Sequence, residues 1–126
     1  MQVSHIDHLV LTVADIERSV EFYTKVLGMV AITFGDNRRA LQFGRQKINL
    51  HEQGREIVPH ASRPTAGSAD MCLLVNVPLE QVLEHLAVCG ITPLTGIVPR
   101  TGAMGVIHSV YLNDPDGNLL ELSCYE

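Results

Sequence analysis

Apolar positions along this chain change rhythm several times, and the changes come twice in the same order. From Ile6 to Val13 branched and aliphatic residues run almost unbroken, which suits a strand. After Asp15, a good helix N-cap, Ile16, Val20, Tyr23 and Leu27 recur at steps of three and four, the spacing of one helix face. Gly28 closes that helix. Met29 to Phe34, Ala40 to Phe43 and Lys47 to His51 then read as short strands, separated by the turn-formers Gly35-Asp36-Asn37 and Gly44-Arg45. The first half is thus β-α-β-β-β. After a polar link from Gly54 to Gly67, Asp70 to Val77 reads as a strand and Leu79 to Val88 as a helix introduced by Pro78 and ended by Gly90. Strands near Thr92 to Leu94, at Val106 to Leu112 and at Leu119 to Cys124 complete the second half. The last two are joined by the turn Asn113-Asp114-Pro115-Asp116-Gly117-Asn118.

The two halves also resemble each other residue by residue. At an offset of 62 positions, His8 lies over Asp70, Leu11 over Leu73, Val13 over Val75, Val20 over Val82, Val26 over Val88 and Gly28 over Gly90. Near the end of each half the offset becomes 70, so that Asn49 falls on Leu119 and His51 on Glu121. The second half carries eight more residues, and the stretch from Gly96 to Gly105 is where they fit, as either a flexible connection or a loop over a substrate. Four residues able to bind a metal, His8, His51, Asp70 and Glu121, therefore stand at corresponding points of a duplicated unit. Such a pattern suggests a site built around a pseudo-twofold axis.

Strand alternation gives these residues a direction. Leu9, Leu11 and Val13 share one face of the first strand, suited to cover the helix, and His8, Val10 and Thr12 share the other. The same parity places Asp70 with Cys72 and Leu74, His51 with Asn49, and Glu121 with Leu119 and Ser123. All four candidate ligands are expected on the open face of a curled sheet.

Composition narrows the alternatives. A chain of 126 residues, with 46% hydrophobic and 18% charged residues, is long enough for one domain with an apolar core. The net charge of −5 and the absence of a basic stripe argue against nucleic acid. No run approaches the ~18 apolar residues of a membrane span, and the start of the chain has neither a basic region nor an apolar signal core, so a cytoplasmic protein is expected. Cys72, Cys89 and Cys124, without CxxC spacing, read as reduced and structural thiols. His60 and His108 read as surface or loop residues.

Four segments carry a resemblance to a known family. Ile6-Asp7-His8-Leu9-Val10-Leu11-Thr12-Val13, the helix Ser19-Val20-Glu21-Phe22-Tyr23-Thr24-Lys25-Val26-Leu27-Gly28-Met29, Ile48-Asn49-Leu50-His51 and Asp114-Pro115-Asp116-Gly117-Asn118-Leu119-Leu120-Glu121-Leu122 are similar to the vicinal oxygen chelate superfamily, which includes glyoxalase I, fosfomycin-resistance thiol transferases, extradiol dioxygenases and bleomycin-binding proteins. The resemblance implies an α+β fold of two paired βαβββ modules, about 4–53 and 68–125, forming a cupped mixed sheet in a single domain spanning 1–126. It also implies a divalent metal, Ni, Zn, Mn or Fe, held by His8, His51 and Glu121. Asp70 fills the fourth slot, where glyoxalase-like members usually carry histidine. Two imidazoles and a carboxylate leave open positions where neighbouring substrate oxygens can chelate.

By the same resemblance Glu121 is the catalytic residue, the base that moves a proton between adjacent carbons. Arg100, as reader of an anionic group, with Asn49 and Tyr111, is expected to contact substrate. The implied activity is a lactoylglutathione lyase type of isomerisation of a small dicarbonyl joined to a thiol co-substrate such as glutathione. An extradiol dioxygenase and a fosfomycin-type thiol transferase use the same scaffold, and a non-catalytic antibiotic or metabolite binder is the alternative of a different class. Members of this length are usually homodimers with modules paired between chains.

Overall fold

The computed structural model describes all 126 residues. They form two compact units, Met1–Gly67 and Ser68–Glu126. The first runs β1 (His8–Val13), α1 (Ile16–Lys25), β2 (Val30–Phe34), β3 (Arg38–Phe43) and β4 (Gln46–Glu52). The second repeats the order as β5 (Asp70–Leu74), α2 (Leu79–Val88), β6 (Val98–Gly102), β7 (Gly105–Asn113) and β8 (Leu119–Tyr125). Each holds a four-stranded mixed sheet, ordered β1-β4-β3-β2 and β5-β8-β7-β6. Three strands follow one another as an antiparallel meander, and the crossover through the helix returns the first strand parallel to the last. The chain is therefore an α+β protein of two βαβββ modules.

The helices form for different local reasons. Asp15 is extended at the N-cap of α1 and its side chain accepts the amide of Arg18, while Pro78 caps α2 without any side-chain bond. Gly28 and Gly90 follow the helices at φ +67° and +75°, a conformation in which a Cβ is strained. The packed stripe of α1 is shifted from the sequence expectation. Ser19, Tyr23 and Val26 are buried and Val20 and Leu27 only half-buried, so Ser19 rather than Val20 corresponds to the buried Val82 of α2. The inner faces of the sheets supply the rest of each core: Leu11, Val13, Leu41, Ile48 and Leu50 in module one, Val110, Leu112, Leu120 and Leu122 in module two. Leu9 and its partners therefore face the helix, as alternation requires.

Two expectations change in the second half. No strand forms at Thr92 to Leu94; the edge strand lies later, at Val98–Gly102. The stretch from Gly96 to Gly105 is consequently not a loop, because most of it belongs to the β6–β7 hairpin, in which Gly102 pairs with Gly105 and Arg100 with Ile107. The longer second half thus spends its extra residues on a longer helix-to-sheet connection, a longer β7 and a wider β7–β8 turn.

That wide turn sets the register of module two. Asp114 is 6% exposed; its Oδ1 accepts the amides of Asp116 and Asn118 at 2.9 Å each, and its Oδ2 accepts the side-chain amide of Asn118 at 2.8 Å. The Asn118 carbonyl oxygen Oδ1 then accepts the amide of Ala69 at 2.8 Å, and Leu119 donates to the backbone oxygen of Ala69. The turn thereby holds the start of β5 beside the start of β8, with Asp70 opposite Leu119 and Cys72 opposite Glu121.

Candidate active site

In module two Asp70, Cys72, Leu74, Glu121, Ser123, Ser109, Tyr111 and Arg100 share the face away from α2. Glu121 is half-buried. Its Oε2 accepts a 2.6 Å hydrogen bond from the hydroxyl of Ser109, and Ser123 lies 2.7 Å from Ser109 and 3.4 Å from the same carboxylate oxygen. Oε1 is left without a protein partner. Arg100 leans on Tyr111, with Nε donating to the phenol oxygen at 3.0 Å and the guanidinium 5.4 Å from the ring centre. The candidate substrate contacts Arg100 and Tyr111 are thus brought together. A cavity of about 410 Å³ opens beside them, lined by Cys72, Leu74, Arg100, Ile107, Glu121 and Tyr125 among others. Gly102 belongs to its wall, where a Cβ would come within 2.9 Å of both Ile107 and the Tyr125 hydroxyl.

Cys72, expected to be structural, is exposed on this face and 3.3 Å from the Ser123 hydroxyl. Although the residue is exposed, partial desolvation of its sulfur, opposed by the Ser123 hydrogen bond and reinforced by the negative Glu121, raises its pKa above the usual thiol value. All three cysteines are free thiols. His108 alternates to the opposite face, with Val110 and Leu112.

In module one the same parity puts His8, Val10, Thr12, Asn49 and His51 on one face. Asp7 holds Nδ1 of His8 at 2.7 Å, and the hydrogen bond to His8 lowers the Asp7 pKa. Nε2 is thereby left to face outward. Asn49 and His51 are 5% and 3% exposed, and Asn49 Oδ1 and both His51 ring nitrogens are buried without a hydrogen-bond partner. Burial, with the nearby Arg38 guanidinium, pushes the His51 pKa below its usual value. His51 also lines a cavity of about 290 Å³ with Thr12 and with His60, which is an exposed loop residue as expected.

The ladders revise how the modules correspond. His8 begins β1 opposite Lys47, and Asp70 begins β5 opposite Leu119. With His8 and Asp70 as equivalents, the residue two steps beyond the partner is Asn49 in module one and Glu121 in module two. His51 matches Ser123 instead. Four residues of parallel strand separate the levels of His8 and His51, roughly 13 Å at about 3.3 Å per residue. Side chains standing out from one face at that separation do not meet on one ion. Within the single chain no three His, Cys, Asp or Glu side chains lie close enough together to hold a metal, and in module one His8 and His51 stand at different levels of the sheet.

Residues 5–122 match the family model of the Glyoxalase/Bleomycin resistance protein/Dioxygenase superfamily. The chain belongs to that superfamily. Virulence protein STM3117 of Salmonella typhimurium is 54% identical over 99% of this chain and 87% of its own length. Its crystal structure covers 100% of both chains with a TM-score of 0.98 at 53% identity. Glyoxalase domain-containing protein RDO1 of Mycosarcoma maydis is 46% identical over 100% of this chain and 71% of its own. The lactoylglutathione lyase of Agrobacterium tumefaciens, at 19% identity, shares the fold, with a TM-score of 0.74 over 98% of this chain and 95% of its own.

Members of the superfamily typically use a divalent metal, and the donors present here suit one. His8 offers a free Nε2 with its other nitrogen fixed by a carboxylate, the usual support of a ligating imidazole. Asn49 offers an orphaned carbonyl oxygen, and Glu121 a free carboxylate oxygen. By strand register, His8 and Asn49 in module one, and Asp70 and Glu121 in module two, stand about 8 Å apart along and across the ladder. Ser109 and Cys72 were missed as neighbours of Glu121, and Tyr125 as part of the cavity lining. The parity of Ser123 with Glu121 was readable along one strand, but only the β7–β8 register brings Ser109 in.

Proposed function

We propose that this protein is a metal-dependent lyase or isomerase of the superfamily, acting in the cytoplasm on a thiol adduct of a small dicarbonyl, as lactoylglutathione lyase does. The observation that supports this best is the Glu121 carboxylate, held by Ser109 and open toward a cavity with Arg100 at its edge. A divalent ion, when bound, supplies Lewis acidity for charge developing on neighbouring substrate oxygens. His8, Asn49, Asp70 and Glu121 would hold it, with module one of one copy of the chain meeting module two of another in a homodimer. His51, at a different level of the sheet from His8, would contact substrate instead. Glu121 would take a proton from one substrate carbon and return it to the next, and Arg100 would hold an anionic end of the thiol portion. Leu74 and Ile107 line that end of the cavity with apolar surface.

The test is turnover of methylglyoxal–glutathione hemithioacetal after loading with Ni²⁺, Zn²⁺, Mn²⁺ or Fe²⁺. The expected result is isomerisation with at least one metal, reduced about 10²–10⁴-fold in Glu121→Ala. An untouched substrate with every metal would remove this reading. Ligand binding that survives complete metal removal would then favour a non-catalytic binder.

A further inference from the structure

Packing does not account for the two serines beside Glu121. Ser109 and Ser123 pair across β7 and β8, and both are fully buried. A buried hydroxyl without a partner is destabilising, a cost an alanine in the same place would not carry. Here both hydroxyls are satisfied, and by one another and Glu121. An ionised carboxylate has no proton to give, so Ser109 is the donor in the 2.6 Å contact with Oε2. With that proton committed, the 2.7 Å contact between the serines needs Ser123 as donor to Ser109. The Ser123 oxygen then remains to accept the Cys72 thiol at 3.3 Å. The hydrogen bonds run in one direction, ending on Oε2.

We propose that Ser109, backed by Ser123, is a positioning residue that ties down Oε2 of Glu121 and so presents Oε1 to the divalent ion. The inference rests on the metal-dependent reading above. Ser109 is not itself a ligand; it acts through Glu121. Removing such a supporting partner typically weakens metal binding 10- to 100-fold.

The experiment is Co²⁺ affinity of the full chain by titration calorimetry, with no substrate present, for wild type, Ser109→Ala, Ser109→Thr, Val110→Ala and Glu121→Ala. Val110 is fully buried on the opposite face of the same strand and serves as the control for general destabilisation. Ser109→Ala is expected to raise the Kd about 10- to 100-fold. Ser109→Thr, which keeps the hydroxyl, should remain near wild type. Val110→Ala should lower the melting temperature and leave the Kd within about twofold, because a loss of packing on the far face does not touch the carboxylate. A Ser109→Ala Kd no different from that of Val110→Ala, with binding abolished in Glu121→Ala, would overturn the role of Ser109 and leave the metal reading intact. No Co²⁺ binding by wild type, or binding unaffected by Glu121→Ala, would overturn both.

Discussion

The two modules share their strand order, their helix lengths and the glycine after each helix, yet they treat polar groups on the open face in opposite ways. In module two Glu121 accepts a hydrogen bond from Ser109, which in turn accepts one from Ser123. In module one Asn49 and His51 are more deeply buried and leave three polar atoms unpartnered. A duplicated backbone is kept by aliphatic residues on the helix side, which are interchangeable as long as volume and parity hold. Polar residues on the other face carry no such redundancy, so they diverge with the task. Module two holds a preorganised carboxylate. Module one holds donors whose partners the protein itself does not supply.

The largest expected difference lies in the turns before β4 and β8. Asp114→Ala removes three accepted hydrogen bonds at a buried site and should cost about 3 kcal/mol, whereas Arg45→Ala in the tight turn of module one should stay within about 0.5 kcal/mol. Urea unfolding of both variants measures this. Equal losses would mean that the register of β5 against β8 does not depend on the turn.

The helix starts should differ less. Asp15→Ala removes the bond to the Arg18 amide and should lower stability by about 1 kcal/mol. Pro78→Ala removes no side-chain bond and acts mainly through the freedom of the unfolded chain, about 0.5 kcal/mol. Thermal melts of the pair would show whether the caps are as unequal as their geometry.

The smallest effect is a pH dependence confined to module one. His51 has its pKa lowered from 6.5 by burial, so between that value and the lower folded one the unfolded chain binds more protons. Its neutral form therefore supports the fold fully above the unfolded pKa, and that support is lost as pH falls through the window below it. In metal-free protein, stability should fall less steeply with decreasing pH in His51→Gln than in wild type. Parallel profiles for the two would show that protonation of His51 does not oppose folding.

Much of the fold was legible in the sequence because its signals are local. Branched runs, helical spacing and the turn residues placed nine of the ten elements, with α2 at its observed bounds and the rest within a few residues. Thr92 to Leu94 misled because a short segment says nothing of pairing, and the strand that pairs with β7 instead contains Pro99 and Gly102, which propensity disfavours. In the site, the parity of His8, Asp70 and Glu121 was readable, since successive side chains alternate along any strand. The correspondence of His51 with Glu121 was not, because two positions along a strand leave parity unchanged while moving the side chain about 7 Å.

By itself, then, the sequence determined the duplication, the order of elements and the face on which each candidate residue lies, all consequences of periods of 2.0 and 3.6 residues. Tertiary structure alone decided level and partner. Which residue stands opposite Glu121 depends on how far β5 slides against β8, and that is set by hydrogen bonds from Asp114 through Asn118 to Ala69, the last of them spanning 49 positions. Ser109 reaches Glu121 only because β7 folds back on β8 in one register, a non-local choice that no window of sequence contains.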